Sequence, residues 1–300
     1  GGLVASTLGI RDADFLTGTY RFAQVGAGET ALDGRPTARV INEGIVRARE
    51  GGYVVLAGDY VANRGIVEAR LGTVLLGAAN ALTLDVVGDR LINYSVDERN
   101  LTTLAGVANS GQLLADGGRV IMTASTARNL ATAVVNNSGL IRARGTEERD
   151  GAVYLLADAG NIALEGGSLI DVSGTAAGGG KVLVGGNFHG SGPEVNAAKV
   201  FVAEGARINA DAGVRGDGGK VAVWADDSTV FLGSISARGG TSGGDGGFVE
   251  TSGKSRLVVR GSVDTRAPQG NTGTWLLDPT DIEVKAGGEA GVTLSEVDAF

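Results

Sequence analysis

The stretch Asn109-Ser-Gly111-Gln-Leu113-Leu-Ala115-Asp-Gly-Gly118-Arg-Val120-Ile-Met122 decides the fold. It joins two short patterns. The first is Gly-x-apolar-x-Ala, over Gly111 to Ala115. The second is a glycine followed by alternating apolar positions, over Gly118 to Met122. Alternate side chains on a strand point to opposite faces. Leu113, Val120 and Met122 therefore face a core, and Arg119 faces away from it.

Both patterns recur along the chain. The second returns as Gly52-Tyr-Val54-Val-Leu56, Gly72-Thr-Val74-Leu-Leu76 and Gly151-Ala-Val153-Tyr-Leu155, and again as Gly180-Lys-Val182-Leu-Val184, Gly219-Lys-Val221-Ala-Val223 and Gly247-Phe-Val249-Glu-Thr251. Lys181, Lys220 and Glu250 join Arg119 on the outer face. The first pattern returns from Gly44, Gly65, Gly139, Gly233 and Gly261, with looser copies from Gly167 and Gly205.

Spacing turns the patterns into an architecture. Gly44 and Gly65 are 21 residues apart, and the intervals Gly111–Gly139, Gly139–Gly167, Gly205–Gly233 and Gly233–Gly261 are each 28. Gly167 to Gly205 is 38, one period plus a ten-residue insertion assigned to residues 185–194. A fixed period with insertions confined to loops is the signature of a solenoid. Each period holds short alternating strands separated by Gly, Asn, Ser and Asp. That is too little for a four-stranded propeller blade, and helical repeats need longer stretches with a 3.6 period. The best helical candidate, residues 124–133, occurs once. The prediction is an all-β chain, a β-solenoid of eleven to thirteen coils forming a rod roughly 50–60 Å long.

Composition agrees. Of 300 residues 52 are glycine, 4 proline and none cysteine; 43% are apolar and 20% charged. Disordered chains carry fewer apolar and more charged residues. Collagen needs glycine at every third position, and a disulfide scaffold needs cysteine. The net charge of −8 and pI near 4.8 argue against nucleic-acid and membrane-surface binding, which call for basic patches. No apolar run reaches the ~18 residues of a membrane helix. Asn42, Asn63, Asn109 and Asn137 each sit two residues before a repeat glycine. Asn tolerates turn geometry and can stack as a side-chain ladder.

The opening Gly1-Gly-Leu-Val-Ala-Ser-Thr-Leu-Gly-Ile10 and Asp14-Phe-Leu-Thr-Gly-Thr-Tyr-Arg-Phe22 resemble the secretion domain of filamentous haemagglutinin-type proteins exported by two-partner secretion. Val107-Ala-Asn-Ser-Gly111, Val134-Val-Asn-Asn-Ser-Gly-Leu-Ile141, Gly246-Gly-Phe-Val-Glu-Thr-Ser-Gly253 and Gly273-Thr-Trp-Leu-Leu-Asp-Pro279 resemble that family's repeat region. The resemblance implies a right-handed parallel β-helix from a large, secreted or surface-displayed exoprotein of a Gram-negative bacterium. It also implies an outer-membrane β-barrel transporter as partner. Such proteins act as adhesins, haemagglutinins or stalks of contact-dependent toxins, with a host-cell receptor or glycan as a further partner. The family's Asn-Pro-Asn-Gly-type motif lies upstream of the Gly-Gly-Leu-Val-Ala-Ser-Thr segment, so the chain is expected to be an internal segment. Residues 1–105 are expected to be the C-terminal part of the secretion domain and 106–278 the repeat region. Residues 279–300 are expected to begin a following module. Absent cysteine is consistent with crossing a membrane unfolded.

Chemistry-bearing residues are sparse. The only histidine, His189, sits in a Gly/Ser/Pro loop, and with no cysteine a histidine-rich zinc site cannot be assembled. A Ser-His-Asp triad would have to use that one residue. Parallel β-helices also host pectin-active enzymes, and glycoside hydrolysis needs two carboxylates about 5–9.5 Å apart. Asp226-Asp227 is the candidate pair. Although His189-Gly190 is similar to a pectinase His-Gly element, it precedes the Asp pair, the reverse of the polygalacturonase order. A solvated turn is the plainer reading. Arg215-Gly216-Asp217 is an integrin-type tripeptide in a glycine-rich loop, kept as an adhesive candidate; Asp245 shows that Asp between glycines is ordinary here. Gly180-Lys181 and Gly219-Lys220 lack P-loop spacing, and Asp217 and Asp245 lack the repeated calcium-nonapeptide frame. Trp224 is placed outward, to stack on a sugar or partner or to pack under a long loop. Trp275 is assigned to the transition near residue 278. No catalytic residue, cofactor or metal ligand is expected, and the chain is expected not to be an enzyme.

Overall fold

The carbonyl of one repeat glycine sits where the Cβ of the next would go. A Cβ on Gly111 would lie 2.1 Å from the Gly65 carbonyl oxygen, and one on Gly139 2.2 Å from that of Gly111. The same contact recurs from Gly72 to Gly118, from Gly180 to Gly219 and from Gly219 to Gly247. Each of these glycines is thus a point where one coil rests on the previous one; the looser copies Gly167 and Gly205 instead have φ of 85° and 81°, in the left-handed region. At Gly111, Gly118, Gly139, Gly219 and Gly247 the glycine is needed for its missing side chain rather than for an unusual backbone angle.

The computed structural model describes residues 1–23, 38–85, 93–98, 106–125, 133–146 and 149–279. Successive coils feed three parallel sheets. The first has nine strands, Leu3–Ser6, Tyr53–Gly58, Thr73–Ala78, Arg119–Ser125, Ala152–Asp158, Lys181–Val184, Lys220–Ala225, Phe248–Gly253 and Thr274–Leu277. The second has eight, from Arg39–Asn42 to Arg256–Val259, and the third eight, from Ile45–Arg47 to Ser262–Asp264. The chain is a parallel β-helix, as the repeat predicts.

Register follows the repeat. Val54, Val74, Val120, Val153, Val182, Val221 and Val249 pair in one column of the first sheet, each fully buried. Val67, Leu113, Ile141, Ile170, Ile208 and Ile235 form the matching column of the third. The alanines ending the first pattern, among them Ala69, Ala115, Ala143, Ala210 and Ala237, are buried beside it. These columns form one continuous apolar core, stabilised at about 25 cal/mol per Å² of apolar surface removed from water.

The coil number differs from expectation. Nine rungs are present among the described residues, spanning about 38 Å at the usual strand spacing. Part of the difference is a different structure. Asn63 and Asn109 are neighbours in the stack yet 46 residues apart. The excess between them leaves the helix and supplies two strands of an antiparallel sheet ordered Asn93–Glu98, Ala81–Asp85, Tyr20–Ala23 and Gly9–Ile10. Leu82 and Leu84 of this sheet pack with Val55, Leu75 and Ile121 on the outer face of the first sheet. A five-residue helix, Asp12–Leu16, lies beside it. Of the helical candidate over 124–133, both ends belong to strands and 126–132 lie outside the described residues, as do 280–300 of the last expected segment. In the first sheet Thr73–Ala78 pairs directly with Arg119–Ser125. No described helix is long and apolar enough to cross a membrane.

The asparagines form the expected ladder. Asn42 Nδ2 donates to Asn63 Oδ1, Asn63 Nδ2 to Asn109 Oδ1 and Asn109 Nδ2 to Asn137 Oδ1, each at 2.8 Å. In later coils the same column holds Leu164, Val202, Phe231 and Val259. A buried column is satisfied by a complete polar ladder or by none.

Two substitutions test these contacts. Gly111→Ala is expected to destabilise the chain by about 1–3 kcal/mol through forced overpacking. Gly44→Ala, at the same motif position with open space around it, is expected to stay within about 0.5 kcal/mol; urea unfolding of both variants compares them. Asn109→Leu removes the donor that Asn137 Oδ1 accepts and the acceptor that Asn63 Nδ2 uses. Asn63 Nδ2 keeps the Gly65 and Gln112 carbonyls, so the expected cost is about 1–3 kcal/mol for the one unsatisfied oxygen of Asn137 in the same measurement.

Candidate functional site on the outer face of the first sheet

Much of the outer face of the first sheet is covered rather than solvated. Ile121, Tyr154, Leu183, Ala222 and Glu250 pair in one outward-facing column. The antiparallel sheet covers its first part. The ten-residue insertion, in the segment joining Lys181–Val184 to Lys199–Val202, covers its last part.

That loop is closely specified. Gly185 and Gly190 have φ of 84° and 61°, in the left-handed region that favours glycine. A Cβ on Gly190 would enter the Trp224 ring at 2.3 Å. Asn187 Oδ1 accepts from the Phe188 N–H at 2.8 Å, Asn187 Nδ2 donates to Glu194 at 2.7 Å, and Asn196 Nδ2 donates to the Gly190 carbonyl at 3.0 Å. Phe188 meets Phe248 edge to face with centroids 5.4 Å apart. Trp224 is only 6% exposed beneath the loop, and its indole N–H donates to Asp226 at 3.2 Å. Of the two roles open to this tryptophan, packing under the long loop is the one observed.

The loop brings together residues that sequence spacing did not join. His189 has φ of 56°, rare for a residue with a side chain. Its backbone N–H donates to both Glu250 carboxylate oxygens, at 3.2 and 3.0 Å. Its ring Nδ1 lies 3.5 Å from Asp278 Oδ2. Glu250 is wholly buried, while the side chains of His189 and Asp278 are 58% and 51% exposed. The three offer ligand atoms within 4.8 Å of one another. Glu250 and Asp278 stand 61 and 89 positions after His189. They are related only because the insertion folds over the outer side of the rungs that carry Glu250 and Asp278.

Beside the loop a groove of about 590 Å³ opens toward the strand Asn93–Glu98. Ile121, Thr123, Tyr154 and Leu156 line it from the first sheet, together with Tyr94 and Glu194. Burial raises the hydroxyl pKa of Tyr94 and of Tyr154, so both phenols are neutral donors at ordinary pH.

The other candidates lie apart. Asp226 and Asp227 are exposed at the end of a strand. The Asp226 carboxylate accepts from Asn196 and Trp224, and the Asp227 carbonyl accepts from Ser255 and Arg256. Arg215 and Asp217 are exposed in a loop stacked between coils. Asp217 Oδ1 accepts the Asp245 N–H at 2.8 Å, and the Gly216 N–H reaches the Gly243 carbonyl. Lys181 and Lys220 begin paired strands of the first sheet. Trp275, exposed and in register with Val249, donates its indole N–H to Thr251 at 2.9 Å.

Taken as a whole, the described chain is a parallel β-helix with an antiparallel flap and one capping loop on the same face. No protein-family model and no curated protein matches the sequence. Among solved structures, the crystal structure of the HMW1 secretion domain from Haemophilus influenzae is similar, with a TM-score of 0.62 and 24% identity over 92% of this chain and 74% of that one. At this identity the likeness shows a shared fold.

Trp224→Ala is expected to cost about 3–5 kcal/mol by opening a cavity beneath the loop. Limited proteolysis should then cut within residues 186–195 well before the rungs, whereas the parent chain resists there.

Proposed function

We propose that the chain is a segment of a secreted or surface-displayed, adhesin-like exoprotein of a Gram-negative bacterium. Its role is mechanical: a β-helical rod that carries binding loops and is exported through an outer-membrane barrel partner. One observation carries the reading. Coil lengths of 21, 28 and 46 residues are absorbed without loss of register, so contacts with partners can vary on loops while the rod stays constant. The fold likeness to a domain named for secretion supports the export half of the reading. The family resemblance of residues 1–22 supports the same half. Host receptors or glycans are partners of the loops, and the chain is not an enzyme.

Export is the direct test. The full-length protein is expected in the medium or on the surface of a bacterial host that carries the cognate barrel, and in the periplasm of a host that lacks it. Appearance in the medium without the barrel would overturn the proposal. The rival reading, a polysaccharide-active enzyme using Asp226 and Asp227, requires depolymerisation of pectin-like substrates that disappears in Asp226→Asn or Asp227→Asn. Such activity would replace the scaffold reading.

A further inference from the structure

The geometry points to a divalent transition-metal site, of the zinc class, formed by His189, Glu250 and Asp278, which pins the capping loop to the last two rungs of the first sheet.

The argument begins at Glu250. Its carboxylate is wholly buried, between Ala222 and Leu276 in the outer column. Buried carboxylates are ordinarily paired with a cation or bound to a metal. Among the described residues no lysine or arginine pairs with this one, and the donor it meets is the backbone N–H of His189. A single N–H leaves most of its charge uncompensated. A cation is the missing partner, and the neighbouring groups suit one.

The imidazole and the second carboxylate stand on the solvent side. His189 Nδ1 and Asp278 Oδ2 are 3.5 Å apart, long for a hydrogen bond. That separation is close to the roughly 3.4 Å edge of a tetrahedron built on metal–ligand bonds of about 2.1 Å. The left-handed backbone at His189 holds the residue in this place, so the site does not rely on a mobile side chain alone. An imidazole with two carboxylates selects zinc and its transition-metal neighbours over calcium and magnesium, which take all-oxygen sites. With three protein ligands and two of them half-exposed, a water completes the shell.

The ligands come from three separate parts of the chain: the insertion, the strand Phe248–Gly253 and the residue after the strand Thr274–Leu277. Bound metal therefore ties the loop to two successive rungs. It stabilises the folded chain in proportion to its occupancy.

The test uses the 300-residue chain after treatment with a chelator. One equivalent of zinc chloride is expected to raise Tm, and cobalt chloride to give the visible absorption of a low-symmetry tetrahedral centre. Calcium and magnesium chloride are expected to do neither. His189→Gln and Asp278→Asn should weaken zinc binding by at least about tenfold, the scale on which metal-site substitutions act, while leaving the metal-free Tm unchanged. Glu250→Gln should abolish the zinc response. It should also raise the metal-free Tm, because it removes an unpaired buried charge. A chain that shows no saturable zinc response overturns the assignment. So does a response that survives in His189→Gln and Asp278→Asn.

Discussion

The rest of the molecule depends on how closely one coil lies on the next. Parallel strands stack at about 4.8 Å, and at the turn into each strand the backbone of one coil touches that of its neighbour. The carbonyl of Gly72 occupies the space a side chain on Gly118 would need, and that of Gly219 the space a side chain on Gly247 would need. This contact fixes register. Once glycine lies on glycine, Val120 falls on Val74 and Val249 on Val221. The core columns, the asparagine ladder and the loop positions then follow without further specification.

That constraint explains what the sequence reveals. The repeat glycines, the apolar positions two and four residues after them and the asparagines two residues before them are local signals, and each maps onto a rung contact. The outcome at Asn63, Asn109 and Asn137 was readable for this reason. The coil count was not. The 46 residues between Asn63 and Asn109 are too many for one coil and about right for two. Period alone does not distinguish a second coil from a hairpin that leaves the stack. Ala81-Leu-Thr-Leu-Asp85 alternates as a rung does, but its partners are antiparallel. The role of Glu250 was hidden for a related reason. Alternation places it correctly on the outer face, and only the insertion makes that face an interior.

Two solutions to one packing problem sit in a single column of the second sheet. Early coils fill it with amides that satisfy one another. Later coils fill it with Leu164, Val202, Phe231 and Val259. The switch falls between Asn137 and Leu164; the ladder's last amide keeps the bond to the carbonyl two residues on, Gly139 at 3.3 Å, that Asn42 and Asn63 also make. Amides require the neighbouring coils to match them in kind, because each donates to the next. Apolar side chains require only volume. The amide half of the rod thus tolerates less substitution at this position than the apolar half.

The loop that contains Arg215-Gly216-Asp217 carries a consequence of its own. The Asp217 carboxylate holds the backbone N–H of Asp245 in the next coil, and the Asp245 carboxylate holds that of Asn271 in the one after. The exposed edge is therefore a relay in which each acid sets the shape of the loop above it. Exchanging the aspartate of the tripeptide alters the surface one coil away as well as at the site of change. A loss of cell attachment after that exchange would consequently identify an edge of the rod, three loops long, rather than a three-residue ligand.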